Sequence, residues 1–171
     1  MRTVELVILV GIPASGKTSF YRRRLAGQYL HVSLDRWRGK GNVRRKEQRA
    51  ILDALAASAA GAGGVRGVVV DNTNVTADTR RRYFEYAAEF SRQAPGRVRL
   101  AAYFFDADLA GCLARNAGRP PDAPPGEPYH VPAIAIRRFH ARLQPPSREE
   151  GFERVFRVRM SDAGDFAVED A

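Results

Sequence analysis

The chain has 171 residues, of which 44% are hydrophobic and 27% are charged, and this composition predicts one globular domain with no room for a second catalytic domain. No apolar run approaches the roughly 20 residues of a membrane-spanning helix, and the single cysteine excludes an internal disulfide. We therefore expect a cytoplasmic protein without a membrane partner. The predicted domain covers residues 1–160, and a loosely ordered acidic tail is predicted at 161–171.

Alternating strand and helix patterns run along the whole chain. Such an alternation predicts an α/β fold, in which helices cover both faces of a parallel sheet. Thr76 and either Asp106 or Asp108 are predicted to cap the helices that follow them. The predicted strands are 4–10, 29–32, 67–70, 98–105 and 154–158, and the predicted helices are 17–26, 44–60, 76–90, 107–115 and 132–143.

The charge balance indicates a class of partner. The sequence has 28 Lys and Arg residues against 19 Asp and Glu residues, a net charge of +9 and a pI near 10.4. Such a surplus attracts polyanions, because bound cations release the counterions of a nucleic acid. Composition alone leaves two interpretations open: a nucleic-acid substrate, or basic residues that form an ordinary solvated surface.

A phosphate-binding pattern directly follows the first strand. Residues 11–18 read Gly-Ile-Pro-Ala-Ser-Gly-Lys-Thr, in which the glycines let backbone N–H groups curl around a phosphate. Lys17 is predicted to reach the β and γ phosphates of a nucleoside triphosphate, and the Thr18 hydroxyl is predicted to bind Mg²⁺. An ordinary glycine turn is the alternative. The predicted nucleotide-binding residues here are Gly11, Ile12, Pro13, Ala14, Ser15, Gly16, Lys17, Thr18 and Ser19.

Acidic residues follow the second and third strands, and ligands of parallel α/β sheets bind at these strand ends. Asp71 closes the third strand and resembles a Walker B aspartate, which helps to hold Mg²⁺. Asp35 follows the second strand and is a candidate acceptor for the proton of a substrate hydroxyl. An aspartate after a strand is also a common turn residue, so the spacing alone leaves both roles open for Asp35.

The segment 118–128 contains five prolines, too many for regular structure. Arg115, Arg119 and His130 lie at or near its ends. We expect a lid at about 115–131 that closes over bound phosphates. A disordered connection without a catalytic role is the alternative.

With these motifs in hand, the chain resembles the 5′-kinase domain of polynucleotide kinases, P-loop enzymes that phosphorylate 5′-hydroxyl ends of nucleic acids. The resemblance runs from Val7 to about Val158. Besides residues 11–20, its motifs are His-Val-Ser-Leu-Asp-Arg-Trp-Arg at 31–38, Val-Val-Asp-Asn-Thr-Asn at 69–74, Ala-Arg-Asn-Ala-Gly-Arg at 114–119, His-Val-Pro at 130–132 and Glu-Glu-Gly-Phe at 149–152.

The resemblance implies a five-stranded parallel sheet of order 2-3-1-4-5 with an arginine-bearing lid. It implies that Asp35 is the general base that activates the 5′-hydroxyl and that Arg38 contacts a phosphate of the acceptor strand. Arg119 and Arg115 match lid arginines that clamp the donor phosphates, with Asn116 beside them at the nucleotide. Asp71 matches the aspartate near the metal, and Asn72 and Asn74 are assigned to the acceptor.

The resemblance also has departures. Leu34 stands where many relatives have an arginine or another polar group before the base, and no Asp-x-Asp-x-Thr motif of a 3′-phosphatase occurs. Trp37 is interpreted either as stacking on a terminal base or as filling space beside the acceptor tunnel. His130 and His140 are interpreted as structural.

The sequence therefore predicts a kinase that uses ATP, or another nucleoside triphosphate, and Mg²⁺ to phosphorylate a 5′-hydroxyl end of DNA or RNA. Two alternatives stay open at this point. One is a P-loop kinase of the same group that acts on a small molecule or on another RNA-type or toxin-type acceptor. The other is an ATPase switch that uses the nucleotide for conformational change only.

Overall fold

The computed structural model describes residues 3–94 and 96–171, which form a single six-stranded sheet flanked by helices. The strand order is β2-β3-β1-β4-β5-β6. The first five strands are parallel in the order 2-3-1-4-5, so the predicted parallel sheet is confirmed. The strands are β1 (Thr3–Val10), β2 (Tyr29–Val32), β3 (Gly67–Asp71), β4 (Arg97–Phe105), β5 (Arg154–Met160) and β6 (Phe166–Asp170).

Helices cover both faces of the sheet, as the alternating pattern predicts. The helices are α1 (Lys17–Phe20), α2 (Val43–Ala59), α3 (Ala77–Gln93), α4 (Leu109–Ala117) and α5 (Ala133–Arg142). The predicted helix 17–26 is α-helical only to Phe20 and continues as a π-helical turn, Tyr21–Leu25. In the described ranges, no helix is long and apolar enough to cross a membrane.

Two of the predicted helix caps are present. Thr76 accepts a hydrogen bond from the Thr79 backbone N–H at 3.1 Å, and Asp108 accepts one from the Gly111 N–H at 2.7 Å. Asp106 instead forms an ion pair with Arg159, with 3.5 Å between Asp106 Oδ2 and Arg159 Nε. Each cap satisfies a backbone donor that the first turn of a helix leaves without an intrahelical partner.

The core is split between the two faces of the sheet because alternate residues of a strand point to opposite sides. Leu6 and Ile8 of β1 face α2 and α3, whereas Val7 and Leu9 face α1 and the π-helical turn. All four side chains are essentially buried. β1 therefore lies at the centre of the domain and delivers residues 11–18 to one edge of the sheet.

The acidic tail is not loosely ordered, and that prediction is wrong for residues 166–170. These residues form β6, which pairs antiparallel with β5. Phe166 is the physical reason: its ring is buried and meets the ring of Phe20 edge-on at 5.3 Å between centroids. A side chain added at Gly16 would lie 3.2 Å from the Phe166 ring, so β6 supports the loop after β1 from behind.

A buried arginine fixes the segment after β3 to the C-terminal part of the chain. Arg80 of α3 is fully buried and donates from Nε and one terminal nitrogen to the Glu150 carboxylate, at 2.8 and 2.6 Å. Its other terminal nitrogen donates to the backbone oxygens of Asn74 and Gln144, at 2.8 and 3.0 Å. Four of the five N–H donors of the guanidinium are thus bonded within the protein.

We expect Arg80→Ala to lower the free energy of unfolding by about 3 kcal/mol, because it leaves Glu150 uncompensated and two carbonyls without a donor. Urea denaturation followed by circular dichroism measures this loss. The matched control is Arg81→Ala on the same helix, whose side chain is 71% exposed in its ion pair with Asp78; its loss should stay below about 1 kcal/mol. Equal losses in the two variants would contradict the role assigned to Arg80.

Candidate active site

The loop after β1 has the backbone conformation of a phosphate cradle. Gly16 has φ 98°, and Ala14 has φ 64°, a left-handed geometry that is rare for a residue with a Cβ atom. The Lys17 ammonium donates to the backbone oxygens of Gly11 and Ile12, at 3.0 and 2.8 Å. Consecutive N–H groups in such a loop, next to a helix start, bind anionic oxygen.

Part of the predicted nucleotide loop lines a cavity at the carboxyl ends of the strands. The loop residues at its wall are Pro13, Ala14, Gly16, Lys17, Thr18 and Ser19. Ser15 is buried, and Gly11, Ile12 and Ser15 are not among the lining residues. Burial lowers the pKa of Lys17 to about 8, against the charges of Asp71 and other neighbours, which raise it. The anionic phosphates of a bound nucleotide would favour its protonated form.

Thr18 and Asp71 meet at the floor of this cavity. The Thr18 hydroxyl donates to Asp71 Oδ2 at 2.7 Å, and both residues line the cavity. Burial opposes ionisation of Asp71, but the hydrogen bond from His31, the charge of Lys17 and the hydrogen bond from Thr18 outweigh it and hold its pKa below the ordinary value. An ionised carboxylate beside a hydroxyl oxygen fits Mg²⁺, which takes one or two protein oxygens and completes its shell with water and phosphate.

His31 is a site residue to which the sequence analysis gave no role. It lies on β2, its Nε2 is 3.0 Å from Asp71 Oδ2, and its ring stacks on Tyr21 at 4.2 Å between centroids. It orients the carboxylate that Thr18 also contacts. A polar residue within an otherwise apolar strand was the signal available for it.

Asp35 lies in the same cavity as Lys17, Thr18 and Asp71. It belongs to a 3-10 turn, Leu34–Trp37, and the Ser33 hydroxyl caps this turn by accepting from the Asp35 N–H at 3.3 Å. Asp35 is therefore both a turn residue and a cavity residue, so the two roles that the sequence left open for it are compatible. Burial and the charge of Asp71 raise the pKa of Asp35, and Lys17, Arg38 and Arg119 partly oppose them. A raised pKa makes the carboxylate a stronger base.

A buried carboxylate holds the turn that carries Asp35. Glu47 of α2 is fully buried and accepts a hydrogen bond from Asn72 Nδ2 at 2.6 Å, while Asn72 Oδ1 accepts from the Leu34 N–H at 2.8 Å. Arg82 neutralises the charge of Glu47, with Arg82 Nε 3.0 Å from Glu47 Oε2. Glu47 was not predicted as a site residue, although it precedes Ile51 by four residues and thus lies on the apolar face of α2.

The predicted acceptor role requires correction for Asn74 and stays a prediction for Asn72. Asn72 lines the cavity, but both ends of its amide are used within the protein, as described above. Asn74 is buried, donates to the Leu9 carbonyl at 2.9 Å and accepts from the Tyr83 hydroxyl at 2.8 Å. The two amides fix the loop after β3, because a buried amide must have its donors and acceptor satisfied.

Asn72→Ala is expected to lower kcat about tenfold, because it frees the Leu34 N–H and lets the Asp35 turn shift away from the reacting hydroxyl. KM for the nucleotide should stay unchanged, because Lys17 and Thr18 keep their contacts. Steady-state kinetics in both substrates measure this split. A rise in nucleotide KM without a change in kcat would contradict the positioning role.

Four residues of the segment 115–131, which stays a predicted lid, line the cavity: Arg119, Pro128, Tyr129 and Val131. Hydrogen bonds join the two ends of this segment. Asn116 of α4 donates to the Val131 carbonyl at 2.8 Å and accepts from the Val131 N–H at 2.9 Å. Its side chain is buried and does not line the cavity. The prediction that Asn116 binds the nucleotide is therefore replaced by a role in holding the two ends of the lid together.

The lid reaches across to the turn that carries Asp35. The Gly126 N–H donates to the Asp35 backbone oxygen at 3.3 Å. Arg38 donates to the Ala123 carbonyl at 2.5 Å and lies over the Tyr129 ring at 3.8 Å from its centroid. The other terminal nitrogen of Arg38 is buried, with no hydrogen-bond acceptor among the residues that the structure describes. Arg38 is not among the residues that line the cavity, so this donor is enclosed between the Asp35 turn and residues 123–129.

The two candidate lid arginines have different positions. Arg119 lines the cavity, and its guanidinium makes no ion pair within the described ranges. Burial lowers the pKa of Arg119, against the charge of Asp35, which raises it. Arg115 instead donates from Nε to the Ala14 carbonyl at 2.8 Å and is not among the lining residues. Of the two, Arg119 borders the cavity at the phosphate loop, whereas Arg115 is bonded to that loop through the Ala14 carbonyl.

Comparison with known protein families agrees with this phosphate loop and cavity. The profile of the AAA domain family matches residues 6–146, which include the phosphate loop, both strand-end aspartates and the lid. The chain belongs to the AAA domain family. This domain is also 30% identical over 167 residues to the bifunctional polynucleotide phosphatase/kinase of Schizosaccharomyces pombe. The resemblance to polynucleotide kinases predicted from the sequence is thereby confirmed.

The alignment covers unequal shares of the two proteins. It includes 95% of this chain and 35% of the S. pombe protein, so the AAA domain spans about a third of the length of that relative. The whole activity of the relative does not transfer to the domain by this similarity alone.

Solved structures show the same fold. A fungal RNA kinase superposes with a TM-score of 0.66 at 18% identity, covering 94% of this chain and 78% of that one. Kti12 of Chaetomium thermophilum, determined with ADP-AlF3, gives a TM-score of 0.58 at 18% identity, covering 93% and 92%. Identities this low establish a common fold for the AAA domain and nothing finer.

Proposed function

We propose that this protein is a kinase that transfers the γ-phosphate of ATP to a 5′-hydroxyl end of DNA or RNA. The observation that carries the proposal is that Asp35 lies in one cavity with Lys17, Thr18, Asp71 and Arg119. This set contains a base, a cation for the phosphates, two oxygen ligands for a metal and a lid arginine. Phosphoryl transfer to a hydroxyl requires these functions together. The similarity to a polynucleotide phosphatase/kinase supports this choice of acceptor.

The phosphate loop and the lid would hold the donor. Backbone N–H groups of the loop and the Lys17 ammonium bind the β and γ phosphates from below, and Arg119 approaches from the lid. Thr18 and Asp71 would hold Mg²⁺, which neutralises charge on the β and γ oxygens when it is bound. A closed lid also excludes water, which would otherwise compete as acceptor.

Asp35 would perform the proton transfer. Its carboxylate accepts the proton of the 5′-hydroxyl while the hydroxyl oxygen forms a bond to the γ phosphorus and the bond to the ADP oxygen breaks. The products are ADP and a 5′-phosphate monoester, and the proton then passes from Asp35 to solvent. Its raised pKa suits this role, because a more basic carboxylate holds the proton better in the transition state.

Arg38 is our candidate for recognition of the acceptor strand. Its unbonded, buried terminal nitrogen lies beside the turn of Asp35, and an arginine can donate to a phosphate oxygen in a fixed geometry. A phosphate of the terminal nucleotide that entered between the Asp35 turn and the lid would satisfy this donor. The assignments of Asp35, Arg38 and Arg119, the use of Mg²⁺ and a cytoplasmic location all stand as predictions.

A panel of acceptors tests the proposal. Labelled ATP and Mg²⁺ are supplied with single-stranded DNA, RNA and duplexes that carry 5′-hydroxyl ends, with nucleosides and sugars as small-molecule acceptors, and with no acceptor. We expect label on the polynucleotides. Transfer to a small molecule instead would replace the proposal with a small-molecule kinase, and ATP hydrolysis without any transfer would replace it with an ATPase switch.

A further inference from the structure

The positive charge of the chain is concentrated in the segment that follows Asp35. Residues 36–49 contain seven basic residues and one acidic residue. The acidic residue is Glu47, which is buried and neutralised by Arg82, so it does not offset charge at the surface. The seven basic residues are Arg36, Arg38, Lys40, Arg44, Arg45, Lys46 and Arg49.

These cations differ from the arginines on β4 and β5 in their ion pairing. Acidic partners neutralise three arginines of these strands: Arg97 pairs with Glu153 at 2.9 Å, Arg154 with Asp170 at 3.0 Å and Arg159 with Asp106 at 3.5 Å. Among the seven basic residues of segment 36–49, Arg49 alone forms an ion pair within the residues that the structure describes, and its partner is Asp53. A polyanion that bound this segment would displace mobile counterions, whose release favours binding.

The segment also contains a groove with an aromatic platform. Trp37 and Ala50 form the apolar part of the groove. Its polar lining consists of Asn42, Arg45, Lys46, Arg49 and Asp53, so three cations stand against one carboxylate, whose partner is Arg49 at 3.3 Å. Trp37 is partly buried and packs against the main core cluster, which fixes its ring in place. An immobile ring bordered by cations is the arrangement on which unpaired bases stack while their backbone contacts the cations.

We propose that this groove, which we name the α2 groove, binds single-stranded nucleic acid downstream of the reacting 5′ end. Phosphates of the acceptor strand contact Arg45, Lys46 and Arg49, and one base stacks on Trp37. Trp37 and Asp35 share one 3-10 turn, so the groove begins at the turn that carries the proposed base, and the proposed strand runs along this turn from Asp35 to Trp37. The inference rests on the proposed function and extends it from the terminal nucleotide to a longer single strand.

Dependence on acceptor length tests the α2 groove directly. A dinucleotide reaches Asp35 but not the groove, whereas a strand of about twelve nucleotides fills both. For the wild type we expect KM to fall with acceptor length. In the variant Arg45→Ala, Lys46→Ala, Arg49→Ala, KM for the longer strand should rise about tenfold or more, with KM for the dinucleotide and kcat unchanged. Alanine preserves α2, because it is the best helix former.

A second measurement does not depend on catalysis. Trp37 is the single tryptophan of the chain, so its fluorescence reports occupancy of the groove. Titration with a 5′-hydroxyl oligonucleotide of about twelve nucleotides should quench it. The slope of log K against log salt should become shallower by about 2 in the triple variant, at about 0.7 per lost phosphate contact on a single strand.

The matched control is Arg137→Ala, Arg138→Ala, Arg142→Ala, which removes three exposed cations from α5 and should leave length dependence and salt slope unchanged. The proposal is overturned by equal KM values of the wild type for both acceptor lengths, by equal effects of the two triple variants, or by absence of quenching. If no oligonucleotide is phosphorylated but the quenching and its salt slope behave as expected, the kinase assignment fails and the α2 groove stands.

Discussion

Asp35→Asn is expected to lower kcat for phosphoryl transfer by about 10² to 10⁴, because the amide cannot take the proton of the acceptor hydroxyl. The substitution keeps the size of the side chain, and the hydrogen bonds of the Asp35 backbone to Ser33 and Gly126 do not depend on the carboxylate. Single-turnover transfer to a 5′-hydroxyl strand measures the loss. Full activity of this variant would contradict the proposed mechanism.

Two further measurements separate lost chemistry from lost folding in this variant. Because burial raises the pKa of Asp35, folding disfavours the charged carboxylate at neutral pH, so Asp35→Asn should unfold at the same or a higher temperature. In the wild type, activity should fall as the pH drops through this raised pKa. The midpoint of the acidic limb of the pH–activity profile should therefore lie above 3.8, the ordinary pKa of an aspartate. That limb should disappear in the variant.

Arg119→Ala is expected to lower kcat by about 10³, because the cavity would lose the lid cation that we propose stabilises charge on the transferred phosphoryl group. Arg119→Lys should recover part of this loss, since it restores the charge but not the fork of N–H donors. The melting temperature should stay within a few degrees, because the Arg119 side chain makes no hydrogen bond or ion pair with the residues that the structure describes.

Arg115→Ala provides the comparison for the lid. Arg115 supports the Ala14 carbonyl, so its loss should mainly raise KM for ATP and lower kcat less than Arg119→Ala does. Normal turnover of Arg119→Ala together with a collapse of kcat in Arg115→Ala would reverse the two assignments.

The fold was largely predictable because local patterns and global topology agree. The apolar run of β1 followed by a glycine loop and a helix start has few structural solutions, and the alternation of strands and helices fixes a parallel sheet. The strand β6 was not predicted, because residues 166–170 have a single buried side chain, Phe166. Its stability depends on Phe20 and Gly16, which are distant in sequence.

Within the site, the residues that the structure brings into one cavity are those with local signals. Lys17 and Thr18 belong to a loop motif, and Asp35 and Asp71 follow strands. The supporting residues had no such signal: Glu47 is a single acidic residue in a basic segment, and its role exists only through Asn72 and Arg82. Asn74 and Asn116 were assigned to ligands because a polar residue near a motif does not reveal whether its hydrogen bonds are already used within the protein.

The most direct test of the kinase assignment is the position of the label on the acceptor. Wild-type protein is incubated with γ-labelled ATP, Mg²⁺ and one strand carrying either a 5′-hydroxyl or a 5′-phosphate, and the product is digested to mononucleotides. We predict label on the 5′-terminal nucleotide of the hydroxyl strand and none on the phosphorylated strand. Label elsewhere, label on both strands, or ATP consumption without any labelled nucleotide would contradict the account.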